Sequence, residues 1–160
     1  MARETTGTAR PDHRRSVRTG LLLGVAVMAA VDEIVFHQIL GWHHFYDGST
    51  TEVALLTDGL LHAAELVMLV GGLFLVADLS RTGGLAPRSA VGGLLLGAGA
   101  FQLFDGIVDH KVLRLHQVRY DVDLLPYDLA WNLAGVALLA TGALVTHRAA
   151  RRIAGAAPPA

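Results

Sequence analysis

The chain has 160 residues, of which 52% are hydrophobic and 17% charged, with 18 glycines, 8 histidines, no cysteine and a formal net charge of −1. This length allows one domain, and the low charged fraction with a mean hydropathy of +0.46 argues against a nucleic-acid binder, a disordered chain or an ordinary soluble domain. The absence of cysteine excludes disulfides, thiolate nucleophiles, iron–sulfur clusters and zinc sites with cysteine ligands. The composition predicts a membrane protein whose histidines need an explanation.

Four apolar stretches follow one another along the chain, at about 20–40, 53–77, 89–109 and 124–146. Each has about the 20 residues that a helix needs to cross a hydrocarbon core of about 30 Å. Short polar loops separate them, so we expect neighbouring helices to pack antiparallel. The sequence therefore predicts an all-α, integral membrane four-helix bundle over residues 17–147, with disordered tails at 1–16 and 148–160.

Lysine and arginine are distributed unevenly among the loops and tails. Ten of the 13 lie in the two tails and the middle loop, whereas Lys111, Arg114 and Arg119 are the three in the other loops. By the positive-inside rule, both termini and the middle loop are predicted to be cytoplasmic, and loops 41–52 and 110–123 to face outward. We expect a multi-pass protein of a bacterial inner (plasma) membrane in contact with lipid, with a homo-oligomer as an open alternative and no nucleic-acid partner.

The first and third stretches are similar to each other at a spacing of 73 residues. Between residues 20 and 43, 11 of 24 positions are identical to their counterparts, and they include one aspartate and two histidines: Asp32 and Asp105, His37 and His110, and His43 and His116. We interpret the chain as two parallel copies of one helical hairpin, about 20–77 and 89–146, related by a pseudo-twofold axis along the membrane normal. Because the first helix matches an internal one, we do not expect it to be a cleaved signal peptide. The paired Gly-x-x-x-Gly motifs at 20–24 and 93–97 are suited to close helix packing.

Ionisable side chains inside the spans all lie toward the outward-facing ends of the helices. A charged group near the bilayer centre costs about 2.5–3.5 kcal/mol on insertion scales, so such residues are usually partnered and functional. Asp58, His62 and Glu65 stand at i, i+4 and i+7 and span about 60° of one helix face. Asp32 and His37 diverge by about 140° on an ideal α-helix, so they can bind one ion only at a π-bulge or a helix end.

Imidazoles and carboxylates gathered from separate helices are typical ligands of a divalent transition metal. Copper, zinc and iron fit this set, whereas a Cu(I) site of thioether or thiolate type is disfavoured. We predict a membrane protein that binds such a metal near the outer face, as a metal-binding, delivery or redox module. His43 and His116 are expected at the mouth of the site. The candidate ligands, with the preferred ones first, are His37, His62, His110, Asp58, Asp32, Asp105, His43, His116, Glu65 and Asp128.

Other interpretations of the same residues stay open. Haem b held by His37 and His110 would use the pair related by the pseudo-twofold axis. A metal-dependent enzyme is a further alternative, because an open metal position can activate water or oxygen. A cation or proton pathway through the aspartates is a third, although the inner half of the spans is apolar. The plainest alternative makes the buried histidines packing residues, His44 an interfacial residue and Asp128 a helix cap.

Five short motifs carry a resemblance to a known family. They are Asp32-x-x-x-x-His37, Gly41-Trp42-His43-His44, Asp58-Gly-Leu-Leu-His62, Asp105-Gly-Ile-Val-Asp109-His110 and Tyr127-Asp128-Leu-Ala-Trp131-Asn132. With these motifs the chain resembles, over about residues 17–147, an uncharacterised family of small four-helix bacterial predicted membrane proteins. The resemblance implies a genomic association with cytochrome oxidase assembly factors, and hence a respiratory oxidase assembly partner and the handling of copper or haem.

Overall fold

The computed structural model describes residues 10–155, and these residues form long helices and no strand. Helix α1 covers His13–Val31, α2 covers Thr51–Arg81, α3 covers Pro87–Phe104 and α4 covers Leu124–Gly155. A π-helical segment extends α1 over Asp32–Ile39, and a second extends α3 over Asp105–Leu113. Within residues 10–155, four helices are long and apolar enough to cross a membrane, so the predicted all-α, four-span architecture is confirmed.

Both outer ends of the helical region extend beyond the predicted boundaries. The Asp12 side chain accepts a hydrogen bond from Arg15 N (2.9 Å) and caps α1, which therefore begins at His13. Helix α4 continues to Gly155 and has Arg152 in its last turn, where a basic side chain interacts favourably with the helix dipole. Residues 13–16 and 148–155, which we predicted to be disordered tails, are thus helical. Residues 10–12 precede α1 and are not helical, and the rest of that prediction, for 1–9 and 156–160, lies outside the described residues.

Helices α1 and α3 form the centre of the molecule through their glycines. A Cβ placed on Gly24 would lie 2.0 Å from the Leu94 carbonyl oxygen, and one on Gly97 would lie 2.1 Å from the Leu21 carbonyl oxygen. No side chain fits in such gaps, so the two backbones approach each other directly. The predicted packing role of the glycine motifs is confirmed.

Helices α2 and α4 lie on the outside of this central pair. Helix α2 packs on α1 and α4 packs on α3, while α2 and α3 make no close contact within the described part of the chain. We expected every pair of neighbouring helices to pack together, and for α2 and α3 this expectation is wrong. The connection 82–86 between them passes below the start of α1, where Asp12 N donates a hydrogen bond to Gly84 O (2.7 Å). The outer helices expose large apolar side chains such as Val67 and Phe74, each 72% exposed, as expected for contact with lipid.

Several backbone features recur after 73 residues. The π-helical segments begin at Asp32 and Asp105, and the left-handed residues that follow them are Gly41 (φ 57°) and Arg114 (φ 54°). The glycine contacts between α1 and α3 are matched in the same way. These correspondences support the interpretation as two hairpins, and the pseudo-twofold axis itself stays a prediction. Below, the first half means residues 13–81 and the second half residues 87–155.

Candidate metal centre

The two π-helical segments each place an aspartate beside a histidine. In a π-helix the hydrogen bonds join residues five apart, so side chains at i and i+5 lie near each other. His37 Nε2 consequently lies 3.5 Å from Asp32 Oδ2, and His110 Nε2 lies 3.2 Å from Asp105 Oδ2. The two residues of each pair do share a site, and they do so through the π-helical geometry that the sequence analysis named as a condition.

Two further histidines enter this site from the loops. We predicted His43 and His116 at its mouth, but both are buried in its middle, with 5% and 2% of their surface exposed. Their rings stack with centroids 4.6 Å apart and an interplanar angle of 2°. Each also contacts the histidine of its own half, since His43 lies 4.5 Å from His37 and His116 lies 4.6 Å from His110 between ring centroids. The four imidazoles, His37, His43, His116 and His110, form one continuous group, which we call the histidine cluster.

Backbone carbonyls fix the orientation of the two loop histidines. His43 Nδ1 donates to Val118 O (2.8 Å), and His116 Nδ1 donates to Phe45 O (2.9 Å), so each ring is held by the opposite half of the molecule. Because a carbonyl oxygen only accepts, Nδ1 carries the proton and the lone pair of the neutral ring is on Nε2. Burial, together with the neighbouring His116 and His37, lowers the pKa of His43 to about 3. His43 is therefore neutral at pH 7, with its lone pair directed into the cluster.

All four Nε2 atoms of the histidine cluster are buried, and none has a hydrogen-bond partner among residues 10–155. The carboxylate oxygens of Asp32 and Asp105 lie 3.2–3.9 Å from them but are not aligned as acceptors. Two groups of donor atoms here lie within 4.8 Å of one another and could hold a metal ion, namely Asp32, His37 and His43, and His43, His110 and His116. Buried polar atoms are normally paired, so this set of lone pairs fits a bound cation.

The other side of the His37 ring faces two carboxylates. His37 Nδ1 lies 2.8 Å from Glu33 Oε2 and 3.2 Å from Asp58 Oδ1. Asp58 also accepts from His44 Nδ1 (2.6 Å) and from Phe45 N (2.7 Å), which ties the first loop to α2. The three residues Glu33, His37 and Asp58 form a further group that could hold a metal ion. The sequence analysis did not rank Glu33 as a site residue and interpreted His44 as interfacial, although the i, i+4 spacing of Glu33 and His37 was a usable signal.

In the second half, no carboxylate of residues 10–155 accepts a hydrogen bond from His110 Nδ1. Gly106 stands where the first half has Glu33, and a Cβ on Gly106 would lie 2.7 Å from the Trp131 ring and 2.8 Å from Asn132 Oδ1. Gln102 Nε2 donates to Trp131 O (2.9 Å) and holds this region of α4 against α3. His110 Nδ1 is buried without a hydrogen-bond partner in the described chain. The two ends of the histidine cluster therefore have different surroundings.

Three predicted ligands lie away from the histidine cluster. The His62 side chain is 54% exposed and pairs with Glu65 (2.6 Å between Nδ1 and Oε1), and Asp128 pairs with Lys111 Nζ (2.6 Å). Among the described helices, α2 packs on α1 and its π-helical extension, so the strip of α2 that is buried is narrow and includes Asp58 and Glu65. Asp58 and Glu65, at i and i+7, differ by about 20° around the helix axis. His62, at i+4, is rotated by about 40° from Asp58 to the other side and therefore lies at the edge of the buried strip.

The comparisons with known proteins give a family. No curated protein and no solved structure matches the chain. A family model described as "Predicted membrane protein (DUF2243)" matches residues 19–149, which includes every residue of the histidine cluster. The resemblance predicted from the five motifs is thereby confirmed, and the chain belongs to this family of predicted membrane proteins.

Proposed function

We propose that this membrane protein binds a transition metal through the histidine cluster and the carboxylates of Asp32 and Asp105, as a metal-binding, delivery or redox module. One observation carries the proposal. His43 and His116 are each locked by a backbone carbonyl of the opposite half so that a buried, unpaired Nε2 faces the same interior space. A packing role alone would not require these lone pairs to be left without donors, because unpaired buried polar atoms cost about 1–3 kcal/mol each.

The donor spacing suits a first-row metal ion. Ligands bound at about 2.0–2.2 Å in a tetrahedral site lie about 3.3–3.6 Å from one another. The four Nε2 to carboxylate distances in the cluster are 3.2–3.9 Å, close to such a set of ligand–ligand distances. Imidazole and carboxylate suit zinc, iron and Cu(II), and no sulfur ligand is among the groups that could hold an ion in the described chain.

The packing of the rings favours an ion over haem. The imidazoles touch one another, and the space between Asp32, His43, Asp105 and His110 does not admit a water-sized sphere. Pockets for organic ligands are usually about 300–1,000 Å³. A macrocycle between His37 and His110 would displace the two stacked rings that separate them.

The charge distribution supports an orientation for the site. The loops that carry His43 and His116 hold few basic residues, whereas the opposite end of the molecule holds Arg14, Arg15 and Arg88. This asymmetry favours a plasma membrane protein with cytoplasmic termini and the cluster near the outer face. A delivery role there would fit the respiratory oxidase assembly partner that the family resemblance implies, and co-purification with an oxidase subunit would test that link.

Elemental analysis of the purified protein tests the proposal. Wild-type protein in detergent is expected to carry metal after growth in medium supplemented with copper, zinc and iron, and His43→Gln and His116→Gln are each expected to lose a substantial part of it. His62→Gln is the matched control, because His62 is exposed and outside the cluster, so its metal content should equal that of the wild type. Metal-free wild-type protein would overturn the proposal, as would equal loss from all three variants, and a Soret band would identify haem instead.

A further inference from the structure

We infer that the histidine cluster holds two metal ions, one at Asp32, His37 and His43 and one at Asp105, His110 and His116. This inference rests on the proposed metal-binding function and adds the number of ions, their ligands and their inequivalence. We call the two places the first position and the second position, after the half of the chain that supplies them.

Each half supplies the same three ligands in the same arrangement. In the first half, Asp32 directs Oδ2 toward His37 Nε2 (3.5 Å) and Oδ1 toward His43 Nε2 (3.9 Å). In the second half, Asp105 directs Oδ2 toward His110 Nε2 (3.2 Å) and Oδ1 toward His116 Nε2 (3.3 Å). Two imidazoles and one carboxylate form a known ligand set for one divalent metal, with open positions remaining. The same three residue types therefore meet in each half, although the donors that lie within 4.8 Å of one another in the second half are His43, His110 and His116.

A single ion cannot use the whole cluster. Donors bound to one ion at about 2.1 Å lie at most about 4.2 Å from one another. The groups of donors that meet within 4.8 Å contain either His37 or His110, and neither group contains both. One ion would therefore leave the outer histidine of the other half with a buried Nε2 that has no hydrogen-bond partner in the described chain, at the cost that such groups carry. His43 belongs to both groups, so the two positions are adjacent and this ring can contact either ion.

The charges of the buried side chains are compatible with more than one cation. Six acidic side chains are at most 6% exposed, and no lysine or arginine is buried within residues 10–155; the six are Asp32, Glu33, Asp58, Glu65, Asp105 and Asp109. Isolated buried carboxylates are strongly disfavoured, and cations among them, whether metal ions or imidazolium groups, reduce that cost.

The two positions differ in the support of their outer ligand. Asp58 Oδ1 accepts from His37 Nδ1 (3.2 Å), and Glu33 Oε2 lies 2.8 Å from the same nitrogen. A carboxylate beside a ligating histidine raises the basicity of the ring and orients it. His110 Nδ1 has no acceptor in the described chain. Partners of this kind change metal affinity by about 10- to 100-fold, so we expect the first position to fill before the second.

Titration of metal-free, full-length protein with Co²⁺ tests the inference. The visible absorption of bound Co²⁺ is expected to rise over two equivalents in the wild type, with the first bound more tightly, and metal analysis after gel filtration should give two ions per chain. Asp32→Asn and Asp105→Asn should each give one. Asp78→Asn is the matched control, because Asp78 pairs with Arg15 and Arg81 at the opposite end of the molecule, and it should keep two.

The outcomes separate this inference from the proposed function. Wild-type protein that saturates at one ion per chain would overturn the inference and leave the proposed function standing, whereas no binding at all would overturn both. The wild-type titration decides the number of ions even if an aspartate variant fails to fold. If Asp32→Asn and Asp105→Asn fold and still bind two ions, the assignment of ligands is wrong.

Discussion

His37 and His110 hold corresponding places in the two halves, and their surroundings differ. Both follow an aspartate by five residues in a π-helical segment, and both contact a loop histidine at nearly the same distance. Glu33 and Asp58 lie beside His37 Nδ1, whereas in the second half Gly106 stands at the position of Glu33 and faces the Trp131 ring. The halves thus share the residues that face the interior of the cluster and differ in those that support them from outside.

This difference separates two tasks that one duplicated sequence performs. The shared residues set the geometry of the candidate ligands, because the same backbone conformation occurs twice. The residues that differ set how strongly each histidine binds a metal ion. Carboxylates lie beside the His37 ring, whereas the corresponding region of the second half contains an aromatic side chain. The halves should therefore respond alike to changes in the shared backbone packing and unlike to changes in the supporting residues.

The largest expected effect concerns the packing that the two halves share. Gly24→Ala and Gly97→Ala each place a methyl group about 2 Å from a backbone carbonyl of the facing helix, and α1 and α3 must separate to accept it. We expect each change to lower the free energy of unfolding by about 3 kcal/mol, at the upper end of overpacking effects. Unfolding of the purified protein in detergent measures it.

Gly59→Ala provides the control for this pair. A Cβ on Gly59 of α2 meets nothing within 4 Å, so alanine should stabilise the helix by about 0.5–1 kcal/mol. If Gly24→Ala and Gly97→Ala differed strongly from each other, the packing of α1 on α3 would not be equivalent in the two halves.

A smaller effect is expected where the halves differ. Asp58→Asn weakens the acceptor behind His37, so we expect metal affinity at the first position to fall by about 10- to 100-fold. Asp128→Asn changes a predicted ligand in α4 that pairs with Lys111 outside the histidine cluster, and should alter affinity by less than about twofold. Competition titration with a chromogenic chelator measures both, and similar losses in the two variants would contradict the proposed role of the carboxylates.

The smallest expected effect concerns the left-handed residue after each π-helical segment. Gly41→Ala should cost about 1 kcal/mol, because an L-residue with a Cβ is strained at φ 57°. Arg114 already bears this strain at φ 54°, so Arg114→Gly relieves it, but the greater freedom of glycine in the unfolded chain offsets most of the gain. We expect a net change below about 0.5 kcal/mol, measured by the same unfolding experiment. Destabilisation by Arg114→Gly above 1 kcal/mol would indicate a contact of the Arg114 side chain that outweighs the strain.

Much of this molecule follows from the sequence because the signals are periodic. Hydropathy predicts the four spans, and the spacing of 73 residues relates Asp32 to Asp105 and His37 to His110. The π-helical segments could not be predicted outright. The sequence shows that an α-helix would hold an i, i+5 pair such as Asp32 and His37 apart, but it does not show which backbone geometry brings the two side chains together.

The central position of His43 and His116 could not be predicted in this way. Their hydrogen-bond acceptors are backbone carbonyls 75 and 71 residues away. Every residue has a backbone carbonyl, so the sequence does not indicate which one a histidine will contact. The exposure of His62 depends in turn on the width of the strip that α2 buries, which is fixed by α2 having a single helix as neighbour. Both features are consequences of tertiary packing.

The crossed hydrogen bonds of His43 and His116 bear on the order of events during synthesis. The first hairpin leaves the ribosome before the second, and at that stage the carbonyl of Val118 that orients His43 does not yet exist. The carbonyl of Phe45 is already present when His116 is made. His43 is therefore synthesised first but oriented last. A metal centre that needs both His43 and His116 cannot be complete until the second loop has emerged. A metal ion that arrived earlier would meet a half-oriented set of ligands, and full occupancy would be a late step of assembly.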